Sequence, residues 1–246
     1  MRATGDGVIA HDLSKGIPLP DQSCEVVYHS HVLEHIPRDS APDFLKECYR
    51  VLAPGGILRI AVPDLERICR TYIEKLELAA AGDTAAAHDY EWIMLEMYDQ
   101  TVRNKSGGGM RDYIAAPRLH NPDFILQRIG EEGEGLIRAL REPAAPATAA
   151  PRRSFFTRLK NVPGRLAGIY GRAVTRILLG KRNAMALEAG QMRLSGEVHQ
   201  WMYDRYSLGR LLAATGFIDA RQMPAAARTA PGSRSAARRR AAAFPC

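Results

Sequence analysis

Cysteine is scarce and unpatterned in this sequence. Cys24, Cys48, Cys69 and Cys246 contain no CxxC pair, so no zinc-ribbon spacing is present. Cys48 and Cys69 fall at apolar positions of expected helices and read as buried, reduced thiols, which fits a cytoplasmic setting. The N-terminus has no basic stretch followed by an apolar run, so no secretory signal is expected. No run approaches ~18 apolar residues, the minimum for a membrane span. Acid is missing from two stretches. Residues 221–246 hold six arginines and no carboxylate. Without them the formal charge of +7 falls to about +1. The body of the chain is therefore near neutral, and nucleic-acid binding is not expected.

The other acid-free stretch, 152–182, has nine basic residues. Its apolar residues recur at spacings of four and three. This predicts an amphipathic helix over about 163–179, either packed on the core with a solvated basic face or lying on the surface in peripheral contact with an anionic membrane through 152–182.

The 246 residues suffice for one ordinary domain. Val8-Ile9-Ala10 reads as a strand tip ending at His11-Asp12. Glu25 to His29 reads as a buried strand. Ser40 to Leu52 reads as a helix capped by Ser40, with Asp43 completing a capping box. Pro54-Gly55-Gly56 then turns the chain into a second strand, Ile57 to Val62. Strand, helix, glycine turn, strand is the pattern of a parallel βαβ unit. Helices are expected over about 64–80 and 88–98, from Asn121-Pro122 to near Gly130, and over Ser207 to Ala214. Phe217-Ile218 suggests a last strand, and 224–246 a disordered basic tail.

Two blocks carry a resemblance. Ile17-Pro-Leu-Pro-Asp-Gln-Ser-Cys-Glu-Val-Val-Tyr-His-Ser-His-Val-Leu-Glu-His-Ile-Pro37 is similar to the fourth-strand region of class I S-adenosylmethionine-dependent methyltransferases. Phe44-Leu-Lys-Glu-Cys-Tyr-Arg-Val-Leu-Ala-Pro-Gly-Gly-Ile-Leu-Arg-Ile60 resembles the following helix, turn and fifth strand. Together they resemble the methyltransferase type 11 group. Val62 to Arg103 and Gly196 to Leu208 resemble a bacterial subgroup associated with surface-glycan genes.

The resemblance implies an α/β, Rossmann-like methyltransferase fold with a mostly parallel sheet. That sheet would be incomplete, with the first two strands and their glycine-rich loop absent; Met1 would be a misplaced start only if the DNA upstream of its codon encoded them in frame. Residues 1–223 would form the partial domain, with a helical insertion over about 64–200. S-adenosyl-L-methionine would be the cofactor, held by Asp12, Leu13, Ser30 and His31. Asp12 would accept the adenine amine.

If the acceptor is a hydroxyl, a base is required. His31, His35, His199 and Tyr203 are the candidates. The acceptor would be a small molecule or glycan, such as a surface-glycan or lipid-linked intermediate. A truncated relic or accessory domain that binds a partner or membrane is the alternative. A weaker one is a metal-dependent hydrolase using His29, His31 and His35. The spacing of His29, His31, Glu34 and His35 departs from the common HxHxDH run, so no metal site is expected.

Overall fold

The computed structural model describes residues 7–141, 178, 180–223 and 240–245. The chain divides into two compact units, Met1–Glu74 with His199–Cys246, and Lys75–Val198.

The first unit is an α/β fold around a small parallel sheet. Strand β1 (Cys24–Ser30) is followed by helix α1 (Ala41–Val51) and strand β2 (Leu52–Val62). β1 and β2 pair in parallel, with Val26 opposite Ile57 and His29 opposite Ile60. β3 (Ile218–Gln222) and β4 (Arg240–Pro245) complete the order β1-β2-β4-β3, every pair parallel.

The βαβ unit forms because α1 carries a continuous apolar stripe. Phe44, Leu45, Cys48 and Val51 recur at helical spacing and are buried. They join Leu33, Leu52, Leu58, Ile60, Leu208, Leu212 and Phe217 in one core. Each large apolar side chain so buried contributes about 1.5–3 kcal/mol. Burial also pushes the Cys48 thiol up to about 12, so this sulfur is an inert packing group.

Arg50, on the opposite face of α1, pins the preceding loop. It donates to the carbonyls of Ile17 and Leu19 at 2.8 and 2.9 Å and to Asp21 Oδ1 at 2.7 Å. It also pairs with Glu47 at 2.8 Å. The hydrogen bonds that Glu47 accepts, first from Arg50 and then from the Ile17 N–H at 3.0 Å, hold its carboxyl down to about 2.

Several expectations are corrected. Val8-Ile9-Ala10 is not a strand, and Val8 and Ile9 are exposed. β1 is not buried on both faces: Val26 and Tyr28 are more than half exposed. β1 is an edge strand of this sheet, and Tyr28 is covered by the Arg59 guanidinium at 5.2 Å. Ser40 makes no side-chain cap, and Asp43 pairs instead with Lys46 at 3.0 Å. Pro54-Gly55-Gly56 lies inside β2 as a bulge: the register runs from Cys24 opposite Leu52 to Val26 opposite Ile57. Gly56 is required there, since a Cβ would sit 2.9 Å from the carbonyl oxygens of Ala53 and Glu25. The expected disordered tail contains β4; 224–239 and Cys246 lie outside the described residues.

The second unit is helical among the described residues. Helix α2 (Leu65–Ala80) runs into it. α3 (Thr84–Met94) starts at Asp83, whose carboxylate accepts from the N–H groups of Ala85 and Ala86, and continues through a π turn at Leu95–Asp99. Gly107 (φ +76) and Gly108 (φ +54) turn the chain into α4 (Gly108–Ala115). Their neighbourhood donates N–H groups to carboxylates: Gly107 to Glu197 at 2.7 Å and Gly109 to Asp99 at 2.6 Å. α5 (Pro122–Arg141) comprises two helical stretches that meet at Gly130, whose non-helical backbone (φ +59, ψ −148) ends the first of them where the sequence predicts. Helical residues 180–194 follow. Trp92, Ile114 and Ile125 form this unit's core. The expected amphipathic helix over 163–179 lies almost wholly outside the described residues, of which this stretch includes only Leu178. No helix among the described residues is long and apolar enough to cross a membrane.

Candidate functional site

The site is built at the C-terminal end of β1, the sheet edge at which α/β folds bind ligands. β1 ends at Ser30, and His31 takes a left-handed backbone (φ +52). Such a conformation is uncommon outside glycine, though histidine is among the residues that tolerate it. The His31 N–H donates to the Ala61 carbonyl at 3.1 Å, which fixes the corner to β2.

A single 3₁₀ turn, Leu33–His35, follows. It sends Leu33 into the core and buries Glu34 completely. His31 Nδ1 and Glu34 Oε1 are 3.2 Å apart. Burial raises the affinity of the Glu34 carboxyl for its proton. The hydrogen bond from His31, its own backbone, and the nearby His199 and His31 charges outweigh that effect. The net shift is downward. Glu34 is thus a carboxylate at neutral pH and only accepts. His31 Nδ1 must therefore carry the shared proton, which leaves Nε2 as its basic atom.

His199 reaches this corner from far along the chain. The Glu34 carbonyl accepts from the N–H groups of Gln200 at 2.6 Å and Trp201 at 3.2 Å. Arg38 lies over the Trp201 ring at 4.5 Å and clamps the same segment. The His35 and His199 rings consequently meet edge to face, with centroids 4.7 Å apart. One carboxylate oxygen of Glu34 and one nitrogen each of His35 and His199 all lie within 4.8 Å of one another. Tyr203 anchors the segment's other end: its carbonyl accepts from Leu65 N at 2.9 Å. The Tyr203 hydroxyl is buried without a hydrogen-bond partner among the described residues. Burial, reinforced by the Glu34 charge, pushes it up to about 12, so it stays a neutral phenol.

Four of the residues expected from sequence therefore gather in this region: His31, His35, His199 and Tyr203. Glu34, which none of the expected roles used, lies among them. His29 does not join. It is buried, packs edge-on against Phe44 with centroids 5.3 Å apart, and faces the core. Trp201 and Tyr206 are 38% and 69% exposed. Asp204 is a helix cap: it accepts from Tyr206 and Ser207 in a capping box that opens helix Arg205–Ala214.

Asp12 and Leu13 stand in an exposed 3₁₀ turn, Leu13–Lys15. Asp12 Oδ1 accepts from the Ser14 hydroxyl at 2.8 Å and the Ser14 N–H at 3.1 Å. The hydrogen bonds from Ser14 hold its carboxyl below the ordinary range. Oδ2 has a 3.9 Å contact with Lys15. An exposed, ionised carboxylate beside an exposed leucine fits an adenine ring and its exocyclic amine. A cavity of about 60 Å³ lies beyond β2, lined by Val62, Asp64, Tyr203, Leu208, Leu212 and Gln222. It has room for a water or two, well short of the ~300 Å³ of a small-molecule pocket.

Residues 1–60 match a family described as "Methyltransferase domain". Over 56 residues the chain is 43% identical to a "Probable S-adenosylmethionine-dependent methyltransferase" of Mycolicibacterium smegmatis. That alignment covers 23% of this chain and 21% of the relative. No solved structure matches. Over its first 60 residues the chain is thus similar to S-adenosylmethionine-dependent methyltransferases, and S-adenosylmethionine is the cofactor that this domain implies.

Proposed function

We propose that this chain forms part of a methyltransferase that uses S-adenosylmethionine to methylate an oxygen of a glycan or lipid-linked intermediate. The observation that carries the reading is the His31–Glu34 pair at the end of β1, inside the segment that matches the methyltransferase domain. When bound, S-adenosylmethionine supplies an electrophilic methyl group, so the protein's task is mainly positioning.

Asp12 holds the adenine amine and Leu13 lies along the ring. Ser30 and His31 form the corner near the methionine portion. His31 is the base: Glu34 fixes its tautomer and orientation, and Nε2 takes the acceptor's proton. His35, His199 and Tyr203 line the acceptor side. Trp201 and Tyr206, both exposed, offer aromatic surface to a sugar. The nine cations of 152–182 would draw a cytoplasmic enzyme to anionic membranes, where lipid-linked acceptors reside.

The test is transfer of radiolabelled methyl from S-adenosylmethionine to a panel of sugars and lipid-linked sugars. Turnover is expected with the full chain, and His31→Ala should lower it by about 10²–10⁴-fold, the usual yield of a general base. A folded chain that transfers no label to any of them would favour the accessory-domain alternative. Equal rates for His31→Ala and the parent would remove His31 from the chemistry.

A further inference from the structure

We propose that Glu34, His35 and His199 form a binding site for a divalent transition-metal ion of the zinc and cobalt class. The proposal stands apart from the transferase reading, because metal binding needs neither cofactor nor acceptor.

Two imidazoles and one carboxylate are a recurrent donor set for such ions. Three atoms within 4.8 Å of one another leave a point no more than about 2.8 Å from each. Zinc–nitrogen and zinc–oxygen bonds run ~2.0–2.2 Å, so an inward movement of under an ångström suffices.

The carboxylate is prepared for this role. Glu34 is fully buried. One of its oxygens is held by His31, while the other, Oε2, is buried with no hydrogen-bond partner among the described residues. An uncompensated buried carboxylate oxygen is costly, and a cation at the two imidazoles would satisfy it. The His31–Glu34 hydrogen bond then acts as an outer support of the kind that orients metal-binding carboxylates.

The scaffold is prepared as well. Both N–H groups on the Glu34 carbonyl come from the residues that directly follow His199. The two chain segments that carry the donors are therefore held together through their backbones. Three protein donors leave a coordination position for water or an acceptor oxygen.

The probe is Co²⁺ added to the metal-stripped full chain, followed by visible absorption, with Zn²⁺ as competitor. One equivalent should saturate, produce d–d bands, and be displaced by Zn²⁺. His199→Ala and His35→Asn should each weaken binding by about 100-fold or more, and His31→Ala by ~10–100-fold. Far-UV circular dichroism identifies any variant that fails to fold, and the remaining one then carries the test. His88→Ala is the control, because His88 and His120 stack at 4.1 Å in the other unit and offer a competing imidazole pair. Absence of saturable binding at ~1 mM Co²⁺ would overturn the site. So would undiminished affinity in the folded variants, or loss of binding in His88→Ala.

Discussion

Replacing Glu96 by alanine is expected to lower the stability of the helical unit by about 3–5 kcal/mol, the cost of leaving a buried guanidinium without its counter-ion. Arg128 reaches Glu96 through Nη2 at 2.7 Å and Nε at 3.1 Å. Both side chains are 5% exposed. Trp92 Nε1 donates to the same carboxylate at 2.6 Å. Glu96 therefore satisfies two buried donors at once, and alanine strands both. It also sits in the π turn that extends α3, where Trp92 and Glu96 are four residues apart and share a face.

Urea unfolding followed by Trp92 fluorescence in a Trp201→Phe background isolates this unit. Glu96→Gln should cost less, because the amide oxygen still accepts from Trp92. A midpoint unchanged by Glu96→Ala would mean that the ion pair is not buried in solution.

Acidification should weaken the α/β unit through His29, by about 2 kcal/mol at pH 5 and about 3 kcal/mol at pH 4. His29 lies in the core, and neither ring nitrogen has a hydrogen-bond partner among the described residues. Burial pushes its pKa down from 6.5 to about 4, opposed only in part by the Glu34 charge. The direction follows from proton linkage. Between those values the unfolded chain binds a proton that the folded chain refuses. The stability associated with His29 is complete above about pH 6.5 and is lost as pH falls toward 4. Glu34 adds a loss of its own in more acid solution, since its folded pKa is depressed and the carboxylate must be protonated there.

His29→Leu removes the titrating group and keeps an apolar filler against Phe44. It should flatten the stability profile between pH 7 and 5 and leave the protein no weaker at pH 7. The same acid slope in His29→Leu and the parent would show that His29 is hydrated or hydrogen-bonded in the folded state.

The sequence made some of this structure legible and hid other parts for identifiable reasons. The β1–α1–β2 unit was readable because its signals are local: a stripe of Phe44, Leu45, Cys48 and Val51, and a Pro-Gly-Gly break. Whether that break would be a turn or a bulge was not, since this depends on pairing with β1. Val8 to Ala10 has strand-like composition, yet no strand forms there, so composition alone did not decide the pairing. β4 was hidden for the opposite reason. Ala-Ala-Ala-Phe within an arginine-rich tail has little β-propensity, and only its pairing with β2 and β3 makes it a strand.

The candidate site divides in the same way. His31 and Glu34 are three residues apart, so their pairing could be anticipated. The meeting of His199 with Glu34 and His35 depends on two backbone hydrogen bonds spanning more than 160 residues, and no local pattern announces it. His29 looked like a third ligand because it is close in sequence. Strand alternation sends it to the core instead.

Calorimetric titration of the full chain with S-adenosylmethionine tests the central reading most directly. Saturable binding near one equivalent is expected, weakened by about tenfold in Asp12→Ala, the effect of losing one charge-assisted hydrogen bond. Absence of binding heat at several temperatures, from a chain shown to be folded, would contradict it.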